Sequence, residues 1–449
     1  MQKSTVMNSV GKLQLISTII LLGFIVAIFY HSVLTYLQFG FPFDTFLYLP
    51  ADRFMDFINL YPIAKDFNPY AHLTNYFPLA YFIYYPFTWL TNPNAGLMIF
   101  LTIFCCFICW NANYYLKIIA TTLNSNEYMK SIVILCFLSY PTLFCLDRAN
   151  IDALLFIFIA LFVIAFAKKF YILAAFLLSI AIGMKAFPAV FIILFLKEKR
   201  YSTAFLCIVF TIVFSLLTIS SFKLGISGSL HNIQHSSLKT FQNYIIYDGG
   251  LTSSLSLFSL AKVILKYFYI IKTGMLVNDT YRASILAFIP YYTLATICIF
   301  ALVALYILLV ETVFWKQVML LVAMLALLPI MSGDYRLVFV YTPLFLFMVN
   351  PHHEKLDYCY TLLFGLLFIP KNFFILPDTI QYTYQCLTRD PCINVARGGY
   401  SFMSLLNVTI LIMFVGLIIF SGLSKRTPTV RNKLIHYLMK KKWLVLNNG

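Results

Sequence analysis

The chain has 449 residues, 61% of them hydrophobic and only 11% charged, with a mean hydropathy of +0.87. Soluble domains carry about 25% charged residues, so these values point away from a soluble enzyme, a disordered protein or a nucleic-acid binder. They point toward an all-α polytopic membrane protein, in which 32 Lys+Arg against 16 Asp+Glu, a net charge of +16, read as the basic bias of cytoplasmic loops.

Residues 1–12 carry Lys3 and Lys12 and no acid, which places them in the cytosol. Residues 13–34 form the first span, too long for a signal h-region and lacking a small-residue cleavage site. Residues 35–76, rich in Asp, Tyr and Pro, go outside. Residues 77–90 contain Pro78 and Pro86 and, at about 14 residues, read as an interfacial or re-entrant helix. Spans at 96–115, 131–146 and 151–167 then alternate between basic and mixed loops. Residues 170–196 begin and end at basic residues and read as a hairpin broken at 184–188. The span 202–221 leads to an outer loop at 222–250, and 251–272, with Lys262, Lys266 and Lys272, reads as an amphipathic interface helix. Spans at 284–310, 318–330, 337–349, 359–369 and 402–420 complete the set.

Counting the hairpin as two gives about 12 spans with both termini inside. The expected organisation is one transmembrane domain over 1–449, with external loops at 35–92, 222–283 and 370–401 and a basic cytosolic tail at 424–449. Eight of the ten cysteines lie in apolar segments. Cys386 and Cys392 lie in the last external loop, where an oxidising compartment allows a disulfide but spacing alone leaves paired and free thiols both open. No metal-binding or nucleotide motif is present.

Ionisable residues at membrane depth are costly and often functional, and four windows carry them. In residues 51–70, Asp52 and Asp56 are four apart and share a face if helical. They read either as solvated loop acids, Asp52 pairing with Arg53 or Lys65, or as a general base. In residues 145–155, Arg148 and Asp152 have ion-pair spacing with Asn150 as a helix cap; alternatively the guanidinium is offered to a lipid-linked phosphate. In residues 183–190, Lys185 sits at the hairpin break in an apolar run without an acid, either snorkelling or binding phosphate. In residues 331–344, Asp334 and Arg336 share the outer rim as an ion pair or as part of a site. His231 and His235, four apart in the outer loop, are a weak metal signal and read as polar loop residues. All four windows fall on one side of the membrane, which suits an enzyme acting on a lipid-phosphate substrate.

These elements together resemble the integral membrane GT-C glycosyltransferases of the bacterial polyprenol-phosphate-mannose-dependent mannosyltransferase type. The carrying motifs are DFINLY at 56–61, DFNPY at 66–70, YFPLAYFIYYPF at 76–87, RANID at 148–152 and GMKAFP at 183–188. Ala149 stands where the family has Gly, and SGDYR at 332–336 replaces an outer motif bearing an aromatic–His pair, so no phosphate-binding His carries over. The resemblance runs in order through about three-quarters of the chain, by short motifs, and extends to serotype-modifying O-antigen glucosyltransferases.

It implies inverting transfer of a hexose, glucose or mannose, from a polyprenyl-phosphate donor. The acceptor is a lipid-linked glycan or glycolipid such as O-antigen, on the periplasmic face of the bacterial inner membrane. Asp56 is implied as catalytic base with Asp52 in reserve, and Arg148, Lys185 and Arg336 as donor-phosphate ligands. Asn150, Asp152, Asp334, Tyr70 and Tyr76 are implied as substrate-binding residues. No cofactor or resident metal is expected, although a divalent ion held partly by the donor phosphate leaves little trace in a sequence. The competing classes are a lipid-linked glycan flippase, which needs charges through the membrane middle and related halves, and an O-antigen polymerase.

Overall fold

A computed structural model describes residues 8–41, 43–72, 76–118, 125–241, 245, 254–273, 279–351, 353–371 and 405–425. The expectations for the loop at 370–401, including Cys386 and Cys392, and for the basic tail beyond Lys425 lie outside or almost wholly outside these residues.

The regular structure of the described residues is helical, with an isolated bridge between Ser254 and Gly333 as the one β-type pairing among them. In chain order the helices are α1 (Ser9–Tyr36), α2 (Met55–Asp66), α3 (Pro78–Tyr84), α4 (Pro93–Leu116), α5 (Ser125–Val133) and α6 (Tyr140–Arg148). They continue with α7 (Asp152–Ala167), α8 (Tyr171–Met184), α9 (Ile192–Lys197), α10 (Tyr201–Ser221), α11 (Gly225–Phe241) and α12 (Leu257–Thr273). The last are α13 (Asp279–Leu309), α14 (Phe314–Leu327), α15 (Tyr341–Met348), α16 (Asp357–Phe368) and α17 (Leu405–Lys425).

Five of these, α1, α4, α10, α13 and α17, are long and apolar enough to cross a membrane. The helix of α5 and the π-helical turn Ile134–Leu138 meets α6 at a 45° bend at Ser139, and the pair makes either a broken span or a re-entrant loop. The chain is thus an all-α polytopic membrane protein. The remaining expected spans are helical but short: α7, α8, α14 and α16 have 12 to 16 residues, against the roughly 20 needed to cross. Residues 337–349 begin as a 3-10 helix, Asp334–Val340, and become α15 only at Tyr341. Such irregular backbone survives at membrane depth only when protein surrounds it. That condition holds here, because α14 is buried from Trp315 to Leu327 and Leu337 to Phe345 are buried beside it. The long helices instead turn apolar side chains outward, such as Leu216 and Leu217 of α10 and Leu302 of α13.

Ion pairs mark one end of the bundle. Lys12 of α1 meets Asp357 of α16 at 2.7 Å, and Glu354 meets both Lys316 and Lys425 at 2.8 Å. These residues come from the segments expected on the cytosolic side. The segments expected outside meet around the C-terminal ends of α6 and α8. Gly183, on the last turn of α8, brings that helix against α3: a Cβ there would lie 2.9 Å from Leu79 Cδ2. A small residue at this crossing permits the close backbone approach that holds membrane helices together, and it sets the position of Lys185 two residues later.

Candidate active site

The site begins with three chain reversals. Phe54, at φ +61°, turns the chain into α2, so Asp56 stands in its first turn. Asp52 ends a separate 3-10 turn, Pro50–Asp52, and the two acids do not share a helix face as their spacing implied. Ala149, at φ +48°, ends α6 before α7 begins at Asp152. The spacing of Arg148 and Asp152 is therefore not helical, and they do not pair. Lys185 has extended backbone between α8 and the 3-10 turn Phe187–Phe191, where the hairpin break was expected.

These reversals exchange the expected partners. Arg148 reaches back 92 residues to Asp56, donating from Nε at 3.3 Å and from Nη2 in a second, close bond. Its Nη1 donates to the Asp52 carbonyl at 3.1 Å, so Asp52 contributes its backbone. Arg53 pairs with Asp147 at 3.5 Å, not with Asp52. Asn150 Nδ2 donates to Asp56 Oδ2 at 2.7 Å, and its Oδ1 accepts from the Asp152 amide at 2.9 Å. One side chain thus ties the Asp56 carboxylate to the start of α7.

Lys185 has an acid after all, although its own segment offers none: Nζ lies 2.6 Å from Asp152 Oδ1, with the Asp152 side chain 0% exposed. Arg336 Nε approaches Asp152 Oδ2 at 3.8 Å, and its Nη1 donates to the Leu325 carbonyl at 3.2 Å. Asp334 does not pair with Arg336. It is fully buried and accepts from Tyr140 at 3.1 Å and Asn407 at 3.5 Å, which anchors the loop bearing Arg336 to α6 and α17. The result is two adjoining charge clusters, Asp56–Arg148 and Asp152–Lys185–Arg336, bridged by Asn150.

Aromatic faces line the cations. Tyr48 lies 4.2 Å from the Arg148 guanidinium, Phe187 4.1 Å from that of Arg336, and Tyr76 and Tyr335 5.0 and 5.7 Å from Lys185 Nζ. Cation–π contact stabilises these groups where water is scarce. Burial pushes the phenols of Tyr70 and Tyr76 well up, so both remain neutral hydrogen-bond donors. Tyr70 is 3% exposed, packs against Tyr81 and Phe222, and spends its hydroxyl on the Tyr76 carbonyl at 3.2 Å. It supports the Tyr76 segment and offers no face to a sugar.

Sequence reasoning missed Tyr48, Phe187 and Tyr335. Phe187 and Tyr335 sit inside quoted motifs, but nothing local to Tyr48 indicates that it will lie under Arg148. His231 and His235 are exposed on α11, and among the described residues no three His, Cys, Asp or Glu side chains are grouped to hold a metal ion.

A family model, Glycosyltransferase family 87, matches residues 74–333. No curated protein and no solved structure is matched by the chain. The match contains Tyr76, Arg148, Asn150, Asp152 and Lys185, while Asp56 and Arg336 lie beyond its ends and join the cluster through side-chain contacts with Arg148, Asn150 and Asp152. It covers more than half of the sequence, and the chain belongs to glycosyltransferase family 87.

Proposed function

We propose that this family 87 glycosyltransferase moves a hexose, glucose or mannose, from a polyprenyl-phosphate donor to a lipid-linked glycan or glycolipid acceptor such as O-antigen. Transfer takes place on the periplasmic face of the bacterial inner membrane. The supporting observation is the pair of bridged charge clusters: one carboxylate held by a guanidinium, beside two further cations sharing a buried carboxylate.

The acceptor hydroxyl attacks the anomeric carbon, and the bond from that carbon to the phosphate oxygen breaks with inversion. Polyprenyl phosphate leaves with the bonding pair, and the hydroxyl proton passes to Asp56. A single carboxylate suffices for this displacement, unlike the paired carboxylates of a glycosidase. Arg148 engages Asp56 in the structure. A donor phosphate competes for that guanidinium, since bidentate phosphate contacts are among the strongest it makes. Donor binding thereby frees Asp56 for the proton. Lys185 and Arg336 stabilise charge developing on the leaving phosphate. Asn150 keeps the base oriented, and the Tyr76 ring beside Lys185 provides a surface for the sugar. Asp334 acts at one remove, by fixing the loop that carries Arg336. Asp52 serves through its carbonyl.

The test is incubation of purified protein with polyprenyl-phosphate glucose and with polyprenyl-phosphate mannose, each with candidate glycolipid acceptors. Release of polyprenyl phosphate from one donor is the expected result. Release from neither, by a preparation that is folded, overturns the donor assignment.

A further inference from the structure

A pocket of about 480 Å³ opens at the C-terminal end of α1, lined by Ile28, His31, Ser32, Thr35 and Tyr36 of that helix and by Asp44, Thr45 and Phe46 of the segment after it. His31 and Thr35, like Ser32 and Tyr36, are four residues apart and share a helix face. The returning segment is held against them: the His31 ring meets the Phe43 carbonyl at 2.7 Å through Nδ1, and Phe46 packs on that ring with centroids 5.9 Å apart. Asp44 Oδ1 is buried and has no hydrogen-bond partner. A buried oxygen left in that state costs free energy that a hydroxyl donor would recover.

The chemistry of the walls narrows the occupant. A carboxylate, an imidazole, three hydroxyls and the Tyr36 ring suit an uncharged, hydroxyl-rich ligand. An anion would meet the Asp44 carboxylate, while Ile28, Phe46 and the Tyr36 ring offer apolar surface to the C–H face of a sugar. The volume lies within the range of small-ligand sites. The lining segment runs on toward the charge clusters. Thr45 is three residues from Tyr48, so their Cα atoms are at most roughly 11 Å apart, and Tyr48 lies under Arg148, the partner of Asp56.

We propose that this pocket is an acceptor subsite, which holds a sugar unit of the acceptor through hydroxyls donated to Asp44 while a neighbouring unit presents its reacting hydroxyl to Asp56. The assignment rests on the reading of Asp56 as the base and of the acceptor as a glycan.

Two measurements test it. The full chain in phosphatidylcholine nanodiscs carries Thr45→Cys, or Ser32→Cys should the first fail to fold, with the unsubstituted protein as baseline. Labelling of the new thiol by a polar maleimide is followed with maltose or mannobiose added. At least one disaccharide slows labelling, and adding Asp44→Asn removes the protection. No protection by either, or protection that survives Asp44→Asn, overturns the subsite. A hydroxyl-bearing lipid headgroup shares this chemistry, so slowed labelling in phosphatidylglycerol nanodiscs without sugar assigns the pocket to lipid and overturns it equally.

In turnover with an acceptor in hand, Asp44→Asn raises the acceptor KM about tenfold, the loss of one charge-assisted hydrogen bond, and leaves donor KM unchanged. An unchanged acceptor KM also overturns it. The labelling experiment needs no donor, so failure of the polyprenyl-phosphate assignment leaves its outcome intact.

Discussion

Replacing Lys185 by Met separates a structural ion pair from a phosphate ligand. Its partner Asp152 has a 0% exposed side chain and Lys185 a 12% exposed one. Breaking a buried pair from one side costs about 3–5 kcal/mol, because the remaining charge stays desolvated. Arg336, still 3.8 Å from Asp152, keeps the loss near the lower bound. Lys185→Met therefore lowers the thermal midpoint of the detergent-solubilised protein.

The double variant Lys185→Met/Asp152→Asn removes one cation and one anion together. The clusters then pass from three cations and two carboxylates to two and one, with the same net charge, and most of the stability returns. Donor use does not return, since a lost charge-assisted hydrogen bond to phosphate is worth about 1.5–3 kcal/mol, or about a 10- to 150-fold rise in donor KM. The assay pairs thermal unfolding with polyprenyl-phosphate release at varied donor concentration. A double variant that regains both stability and donor KM would refute the phosphate role and leave Lys185 a structural partner of Asp152.

Asp56→Asn keeps one acceptor oxygen but turns an N–H₂ group toward the donors of Arg148 or Asn150, so it lowers the thermal midpoint, and among folded protein it lowers kcat about 10²–10⁴-fold; full activity would remove Asp56 as base. Asn150→Ala cuts the 2.7 Å bond to Asp56 and the 2.9 Å bond to the Asp152 amide. It lowers kcat by up to about 10²-fold through misplacement of the base, with little change in donor KM, and an effect on donor KM alone would contradict that role. Ala149→Gly relieves a left-handed residue at φ +48°. Against the entropy glycine adds to the unfolded chain, the net gain is about 0.5–1 kcal/mol. Unfolding of this variant should shift upward with activity retained, and a downward shift would mean that the Ala149 methyl, 0% exposed, contributes more by packing than its backbone costs.

How much of this was legible depends on the range of the forces involved. Hydropathy is a local property, so the helices and the break at Lys185 could be read from neighbouring residues, whereas which helices are long enough to cross a membrane could not. The residue types of the site could also be read, because an ionisable group in an apolar setting stands out wherever it lies. Partner choice could not. The spacing of Arg148 and Asp152 describes a helical pair only if the helix continues, and Ala149 in the left-handed region ends it. Asp334 and Arg336, two residues apart, face different networks because the backbone between them winds as a 3-10 helix.

From the sequence alone came the class of protein, the helices and the candidate residues, since each follows from what one segment can bury. Only the tertiary structure joined Arg148 to Asp56 across 92 residues and Lys185 to Asp152 across 33. A charge at membrane depth takes whichever partner the packed helices bring within reach, and separation along the chain carries no record of that.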